Sequence, residues 1–272
     1  MTIMKSKKGL IMGVANERSI AWGIAKALAD HGAELAFSYL NEGFKKRLIP
    51  LMDSIKANKF YECDVSKDIN ESSSIENMFN KILKTWDEID FVVHALAYSD
   101  KEELKGKYVN CSRENFLNSL DISAFSFTRT AKSAFPLMSS KGGSLLTLSY
   151  LGAERTTPNY NVMGVAKSAL EASIKYLAMD LGKNNIRVNG LSAGPVKTLA
   201  GAAISGARHV YRYSESVEPL KFNPELNEIG NSALYLISDL SSGVTGNIHH
   251  VDGGLHSVAT VSYTHLTLPT KA

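Results

Sequence analysis

Short apolar runs alternate with longer segments of helical periodicity along most of the chain. Several of these runs are apolar at nearly every position, as expected for parallel strands that are covered on both faces. The predicted strands are Leu10–Val14, Glu34–Tyr39, Lys59–Cys63, Phe91–Ala95, Ser144–Ser149, Arg187–Ser192 and Asn247–Val251. The predicted helices are Ser19–His31, Glu42–Lys56, Ser73–Trp86, Arg113–Met138, Asn159–Gly182 and Pro224–Leu240. This alternation predicts an α/β fold: one doubly wound, Rossmann-type domain with a seven-stranded parallel sheet flanked by helices.

Two stretches interrupt the alternation. Residues 197–222 form a long connection that begins with small residues and continues with aromatic and charged ones. Long connections in compact domains are usually lids or disordered segments. This one follows the carboxyl end of a strand, where open α/β sheets bind ligands, so we interpret it as a mobile substrate lid. The chain ends in VSYTHLTLPTKA, and we expect residues 259–272 to be a disordered or non-native tail behind a domain of residues 1–258.

Composition and charge exclude several classes of protein. The 272 residues are 44% hydrophobic and 21% charged, with a net charge of +3 and no basic block typical of nucleic-acid binding. The cysteines Cys63 and Cys111 have no metal-ligand spacing, so we expect reduced thiols, no metal site and a cytoplasmic protein. The basic and apolar amino terminus resembles a signal peptide, but its apolar run is too short. No segment has the roughly 20 apolar residues that a membrane span needs.

The first predicted strand leads into a site suited to a dinucleotide. Gly13 follows the strand and Ser19 precedes the first predicted helix. A glycine turn before a helix amino terminus lets free backbone amides approach a pyrophosphate, and the helix dipole favours its charge. Ser19 could either cap the helix or donate to a phosphate oxygen. The spacing does not fit GxGxxG, so an ordinary strand–helix turn is the alternative.

Residues after the second and third strands are predicted to lie near the adenosine end of such a ligand. Asp64 and Val65 close the third strand, where a carboxylate could meet the adenine end or be an exposed turn residue. Leu40, Asn41 and Glu42 follow the second strand, where a phosphate on the ribose would require a basic residue. The nearest basic residues, at positions 45–47, are a helical turn further on. This arrangement favours NADH over NADPH.

Tyr160 and Lys167 are the candidate catalytic pair. They are seven residues apart in a segment of helical periodicity, which would place them on one helix face roughly 10 Å apart along the axis. The lysine could hold ribose hydroxyls, and its charge could lower the pKa of the tyrosine. The tyrosine could then donate a hydrogen bond or proton to an oxygen where charge develops. A surface lysine and a packing tyrosine are the alternative, since such spacings are common on helices.

Extended stretches of the chain resemble the short-chain dehydrogenase/reductase superfamily, and within it the divergent branch of bacterial enoyl-[acyl-carrier-protein] reductases. The resemblance covers residues 8–258 and is carried by LLTLSYLGAERTTPNYNVMGVAKSALEA, RVNGLSAGPVKTLA and GNSALYLISDLSSGVTGNIHHVDGG. GVANERSIAWGIAKAL and ECDV agree with it. The superfamily's usual pair is Tyr-x3-Lys, which this chain lacks, whereas Tyr160-x6-Lys167 has the spacing of the enoyl reductase branch.

The resemblance implies a reaction and a role for each matched residue. Hydride would pass from NADH to the β-carbon of a trans-2-enoyl thioester in type II fatty acid biosynthesis. Tyr160 would stabilise the enolate oxygen, Lys167 would hold the ribose, and Tyr150 would be the branch's second tyrosine in the acyl site. The cofactor-binding residues would be Gly13, Ser19, Ile20, Asp64, Val65, Leu96, Lys167, Val196, Lys197, Thr198, Leu199 and Ala200. The substrate-binding residues would be Ser99, Tyr150 and Tyr160.

The resemblance also implies partners, and two rival functions stay open. Acyl carrier protein would bring the enoyl chain, and the assembly would be a homotetramer, with no nucleic-acid or membrane partner. Leu40 stands where a well-known branch has glutamine, which removes a polar contact but adds no basic residue. A carbonyl reductase of the wider superfamily is one rival. A non-catalytic dinucleotide-binding protein is the other, although a scaffold has no need of both Tyr160 and Lys167.

Overall fold

Seven parallel strands form a single sheet in the computed structural model, which describes residues 2–198, 201 and 207–259. The strands are β1 (Lys8–Met12), β2 (Glu34–Tyr39), β3 (Lys59–Glu62), β4 (Phe91–His94), β5 (Gly143–Ser149), β6 (Ile186–Ala193) and β7 (Ile248–Val251). Their order is β3-β2-β1-β4-β5-β6-β7, and every neighbouring pair is parallel. The predicted doubly wound α/β fold is therefore confirmed. The order reverses between β1 and β4, where sheets of this kind open a ligand crevice.

Helices cover both faces of the sheet. They are α1 (Ile20–Asp30), α2 (Glu42–Ser54), α3 (Ile75–Leu83), α4 (Arg113–Leu120), α5 (Ser126–Met138), α6 (Val162–Leu181), α7 (Ala207–Val217) and α8 (Leu226–Ile237). Two buried apolar clusters fill the spaces between the sheet and its helices. Leu10, Phe79 and Phe127 belong to one cluster, and Ile11, Phe37 and Ile229 belong to the other. None of the helices in the described ranges has the length and apolar character of a membrane span.

The predicted first strand and one predicted helix need correction. β1 begins at Lys8, two residues early, because the Lys8 amide donates to Asp90 Oδ2 at 2.7 Å and the residue pairs with Glu34. The strand ends at Met12 because Gly13 turns the chain with φ +98°. The predicted helix Arg113–Met138 is two helices, α4 and α5, joined by a π-helical turn at Asp121–Phe125. Ser123 in this turn and Ser126 directly after it are buried, and they bond to Tyr98 and His94.

The long connection before α8 contains a helix that the sequence pattern did not predict. Helix α7 lies within residues 197–222 and ends at Val217, just before Glu218. The Glu218 side chain is fully buried, and neither carboxyl oxygen has a hydrogen bond of ordinary length to a described residue. Its carboxyl group lies against Gly253, immediately after β7. Burial raises the pKa of Glu218 to about 7, with Asp252 and Glu215 adding to the rise and the Ser214 hydroxyl opposing it.

Glu218→Gln is expected to stabilise the protein above pH 7. A carboxyl group whose pKa is higher in the folded state than the ordinary 4.5 loses stability as pH rises from 4.5 through about 7. A buried polar group without a partner costs about 1–3 kcal/mol, and we expect a difference of that order at pH 8. Below pH 4.5 both proteins should be equally stable. Melting temperatures at several pH values test this, with exposed Glu114→Gln on α4 as the control. A less stable variant at pH 8 would show that the carboxylate has a partner.

Candidate active site

The turn after β1 has a backbone cradle of the kind a pyrophosphate needs. A side chain at position 13 would overlap the Ala95 carbonyl oxygen, since a Cβ there would lie 2.1 Å from it. Glycine is therefore required by both its φ angle and its close approach to the end of β4. Ser19 occupies the N-cap position of α1 without capping it through its side chain. Its Oγ accepts from the amides of Ala15 and Asn16, both at 3.0 Å, so the serine shapes the cradle instead.

The adenine-side loop after β3 is held by an arginine that the sequence reasoning missed. Val65 is buried, and Asp64 accepts from the Ser66 amide and hydroxyl at 3.0 and 2.7 Å. Arg129 of α5 donates to the carbonyls of Val65 and Lys67 at 2.9 and 2.7 Å. Its guanidinium also forms a two-bond ion pair with Glu76 at 3.1 and 2.8 Å. The sequence signal for this contact was the single arginine of α5, which lies among mainly small and apolar residues.

The first basic residue after β2, Lys45, is held in an ion pair. Leu40 is exposed, and the Asn41 side chain caps α2 by accepting from the amides of Gly43 and Phe44. Lys45 is paired with Glu42 at 3.0 Å, and its ammonium lies 5.6 Å from the centre of the Tyr39 ring. The first cation after β2 is therefore already paired with a carboxylate of the same helix turn.

The loop after β4 is tied to α4 and the π-helical turn. Ser99 donates to Asn115 Oδ1 at 3.2 Å, and the Asp100 amide donates to the same oxygen at 2.9 Å. The Tyr98 amide donates to Ser123 Oγ at 3.0 Å. Leu96, half-buried, packs against the core at the start of this loop. These contacts fix the loop that contains Leu96, predicted to bind the cofactor, and Ser99, predicted to bind the substrate.

The segment after β6 continues along the same edge of the sheet. Val196 is half-buried, and its carbonyl accepts from the Tyr211 hydroxyl of α7 at 3.0 Å. Lys197 is exposed, and Thr198 Oγ1 accepts from the Gly201 amide at 2.9 Å. The predicted cofactor residues Leu199 and Ala200 lie outside the described residues. The Tyr211 hydroxyl therefore links helix α7 to the strand end where a nicotinamide was predicted.

Two tyrosines form the centre of an apolar cluster after β5. The rings of Tyr150 and Tyr160 meet edge to face with centroids 5.1 Å apart. Leu104, Val162 and Met163 are buried with Tyr160. Residue 152 is glycine because a Cβ there would lie 2.4 Å from the Tyr160 ring. This packing fixes the ring by contact on several sides.

The prediction that Tyr160 lies on the same helix as Lys167 is wrong. Helix α6 begins at Val162, and Tyr160 lies in the preceding turn between two residues with positive φ, Asn159 at 60° and Asn161 at 41°. Asn161 Nδ2 also donates to the carbonyl of Glu103 at 3.2 Å, which holds the turn to another loop. Asparagine tolerates the left-handed region better than most residues, so the two flanking asparagines were a turn signal.

Lys167 is a buried cation at the end of β5. Its Nζ donates to the Leu148 carbonyl at 2.7 Å and forms no ion pair with the described residues. Burial lowers the pKa of Lys167 to about 8, opposed by the nearby Glu171 carboxylate. An ammonium group has three donors, so two beyond the Leu148 bond can serve a ligand.

His94 is a buried residue of the site that the sequence reasoning missed. It is enclosed at the end of β4 between Thr147 Oγ1 at 3.1 Å and Ser126 Oγ at 2.8 Å. Burial, together with the Lys167 charge, lowers the pKa of His94 to about 3. A neutral imidazole here joins β4, β5 and α5 without titrating near neutral pH. Its position inside a strand of apolar residues was the available signal.

The pKa of Tyr160 is shifted in the direction opposite to the prediction. Burial raises it well above its ordinary value, and Tyr150 raises it further. Desolvation therefore outweighs any effect of the Lys167 charge, and Tyr160 stays protonated at neutral pH. A neutral, fixed phenol can donate a hydrogen bond to an oxygen on which negative charge develops. Among the described residues, no group of His, Cys, Asp or Glu is placed to hold a metal ion.

Comparisons with known proteins agree with this arrangement. Residues 13–256 match the family model described as enoyl-(acyl carrier protein) reductase. Enoyl-[acyl-carrier-protein] reductase [NADH] 1 of Rhizobium meliloti is 54% identical over 94% of this chain and 92% of its own length. The corresponding Rickettsia typhi enzyme is 51% identical over 94% of this chain and 96% of its own.

Solved structures of the same kind superpose closely. A crystal structure of the reductase from Anaplasma phagocytophilum in complex with NAD is 53% identical with a TM-score of 0.90, covering 96% of this chain and 97% of that one. A Bacillus cereus structure with NADP+ and an indole naphthyridinone is 42% identical with a TM-score of 0.91, covering 96% and 100%. The fold, the paired tyrosines, the buried lysine and these matches together show that the chain belongs to the enoyl-(acyl carrier protein) reductase family.

Proposed function

We propose that this protein uses NADH to reduce the trans-2 double bond of enoyl-[acyl-carrier-protein] thioesters in type II fatty acid biosynthesis. The observation that carries the proposal is the Tyr150–Tyr160 ring pair, which follows the end of β5. The buried ammonium of Lys167 is bound to the Leu148 carbonyl at that same strand end. A family member with these groups intact has what the reaction needs: a donor for the developing oxygen charge and a cation for the cofactor. Relatives about half identical in sequence carry this activity in their names.

The residues present fit a dinucleotide. The Gly13 cradle would fill with a single added Cβ, and the buried Lys167 ammonium has donors to spare. Gly13, Ser19 and Ile20 would hold the pyrophosphate end, and Asp64 and Val65 would border the adenine. Leu96, Lys167 and residues 196–200 would contact the ribose and nicotinamide. When bound, NADH supplies a hydride to the β-carbon of the substrate.

Side chains of this protein stabilise the negative charge that the reduction creates on the thioester oxygen. Electron density moves to the thioester oxygen as the β-carbon accepts hydride, and the Tyr160 hydroxyl donates a hydrogen bond to that enolate oxygen. Tyr160 is neutral and held by packing, so little reorganisation is needed as charge develops. Tyr150 and Ser99 line the acyl site, and the apolar cluster around Tyr160 keeps water away from the enolate.

The local charges favour NADH, although titles of related structures name both NAD and NADP+. Glu42 holds Lys45 in an ion pair, and its carboxylate would oppose a phosphate on the adenosine ribose. We expect kcat/KM to be at least about tenfold higher with NADH than with NADPH, which corresponds to about 1.4 kcal/mol. Steady-state rates with each cofactor at one substrate concentration measure this ratio. Glu42→Arg should lower this ratio, with Asp53→Arg, exposed near the other end of α2, as the matched control.

One assay separates the proposed reaction from the rival functions. Purified protein should oxidise NADH, followed by its absorbance, with a crotonyl thioester and not with an acetoacetyl thioester. Turnover of the acetoacetyl substrate alone would make the protein a carbonyl reductase. Binding of NADH without oxidation by enoyl thioesters of several lengths would make it a non-catalytic dinucleotide-binding protein.

The remaining parts of the proposal concern partners and organisation. Acyl carrier protein delivers the substrate, the enzyme is a cytoplasmic homotetramer, and neither nucleic acid nor membrane takes part. Exposed Tyr176 and Met179 on α6 support an interface on that helix. Residues 197–222 act as the substrate lid, and the Tyr211 hydroxyl ties its helix α7 to Val196; residues 199–200 and 202–206 lie outside the described residues. Residues 1–258 form the functional domain, and 259–272 take no part in it.

A further inference from the structure

The turn that follows Tyr150 is packed tightly between the Tyr160 ring and α6. A Cβ at Gly152 would lie 2.4 Å from Tyr160 Cδ1, and a Cβ at Gly164 would lie 2.8 Å from the Gly152 carbonyl oxygen. The Ser168 hydroxyl, also on α6, donates to the Ala153 carbonyl at 2.6 Å. The backbone at 152–153 therefore has no free space in which to move without displacing the Tyr160 ring.

The other end of this turn is fastened to the segment that follows β7. Arg155 donates from Nη1 to the Val258 carbonyl at 2.7 Å and from its second terminal nitrogen to the His256 carbonyl. Glu154 Oε1 lies 3.0 Å from His250 Nε2. Two adjacent side chains thus connect the tyrosine-bearing turn to a segment about a hundred residues later in the chain.

The segment that receives these contacts is itself firmly held. The buried Asp252 carboxylate accepts from the amides of Gly254 and His256 at 3.0 and 2.8 Å, and lies 2.9 Å from His256 Nδ1. The His256 ring stacks on the His250 ring with centroids 4.0 Å apart. The Arg155 acceptors therefore belong to an ordered turn whose position is set by β7.

We propose that Arg155 is a positioning residue for the reduction, acting through the turn at 151–155 on the Tyr160 ring. This proposal rests on the proposed function, because it assigns Arg155 to the same chemical step. Arg155 is exposed, but its planar guanidinium fixes two carbonyl acceptors at once, which a single-point contact cannot do. Loss of these two hydrogen bonds lets the turn move, and the Tyr160 hydroxyl then no longer points at the enolate oxygen.

A double-mutant cycle tests the proposal. Arg155→Gln should lower kcat for crotonyl thioester by about tenfold, since small misplacements of a reacting group have large effects. The same change made in Tyr160→Phe should lower kcat by less than about twofold, because no hydroxyl remains to be misplaced. NADH affinity should be unchanged in both backgrounds. Arg155→Lys, which keeps a cation able to reach one carbonyl, should restore part of the lost turnover.

A control variant separates positioning from general stability. Arg187→Gln removes another arginine that donates to backbone carbonyls, those of Leu236, Ile237 and Ser238, remote from the tyrosines. It should lower the melting temperature and leave kcat per folded molecule unchanged. The proposal is overturned if Arg155→Gln lowers kcat by the same factor in both backgrounds, or if it does not lower kcat in the wild-type background. Since the wild-type assay is run first, failure of the proposed reaction is seen separately.

Discussion

Lys167→Met should weaken NADH binding by at least about a hundredfold and raise the stability of the cofactor-free protein near pH 7. The loss of affinity follows from removing hydrogen bonds between a cation and the ribose hydroxyls, each contributing about 1.5–3 kcal/mol. The gain in stability follows from removing a buried ammonium without an ion-pair partner among the described residues. Fluorescence titration with NADH and thermal unfolding measure the two effects. Exposed Lys175→Met on the same helix should change neither.

The sign of the stability effect depends on pH. Lys167 has a pKa of about 8 in the folded protein against an ordinary value of 10.5, so its charged form is disfavoured by folding. This penalty is fully present below pH 8 and disappears as pH rises from about 8 to 10.5. We therefore expect Lys167→Met to be more stable by about 1–3 kcal/mol at pH 7, with a smaller difference at pH 10. A variant less stable than wild type at pH 7 would mean that the bond to Leu148 outweighs the desolvation of the charge.

Tyr160→Phe should lower turnover about a hundredfold, the effect typical of removing one donor to a developing oxyanion. Phenylalanine keeps the ring contacts with Tyr150 and Gly152, so folding and NADH affinity should change little. Steady-state kinetics with crotonyl thioester and NADH titration separate the two quantities. Tyr235→Phe, exposed on α8, is the matched control. If Tyr160→Phe and Lys167→Met lost NADH affinity equally, the division of roles between the two residues would be wrong.

The strands and most helices could be predicted because their signals are local. Alternating apolar runs reveal buried parallel strands, and all strand ends except those of β1 agree within one residue. The glycine turn after β1 also follows from residue type, since position 13 tolerates no side chain. Parallel strands end at one edge of the sheet, which is where Gly13 and Asp64 were predicted to meet a dinucleotide. The roles of Leu96, Tyr150 and Val196 came only from the resemblance to the family.

The features that were missed depend on contacts between distant segments. The hold of Arg129 on the loop after β3 joins residues more than sixty positions apart, and no periodicity reveals it. The pKa of Tyr160 was predicted in the wrong direction because desolvation depends on how completely a cluster closes around the ring. Helix α7 is amphipathic but mostly polar, and it follows a run of small residues, so it was interpreted as part of the lid and not as a helix. The split between α4 and α5 depends on buried serines that bond to Tyr98 and His94.

The two left-handed residues beside Tyr160 restrict how this enzyme can vary. Asn159 and Asn161 adopt backbone angles open chiefly to glycine, asparagine and aspartate, and other side chains would add strain of about 1–3 kcal/mol. In a saturation library selected for growth that requires this enzyme's activity, both positions should accept fewer residue types than many buried core positions. The restriction comes from main-chain geometry, so chemically similar replacements such as glutamine should fail where glycine succeeds. Evolutionary drift next to the reactive phenol is thereby confined to a few small or turn-forming residues.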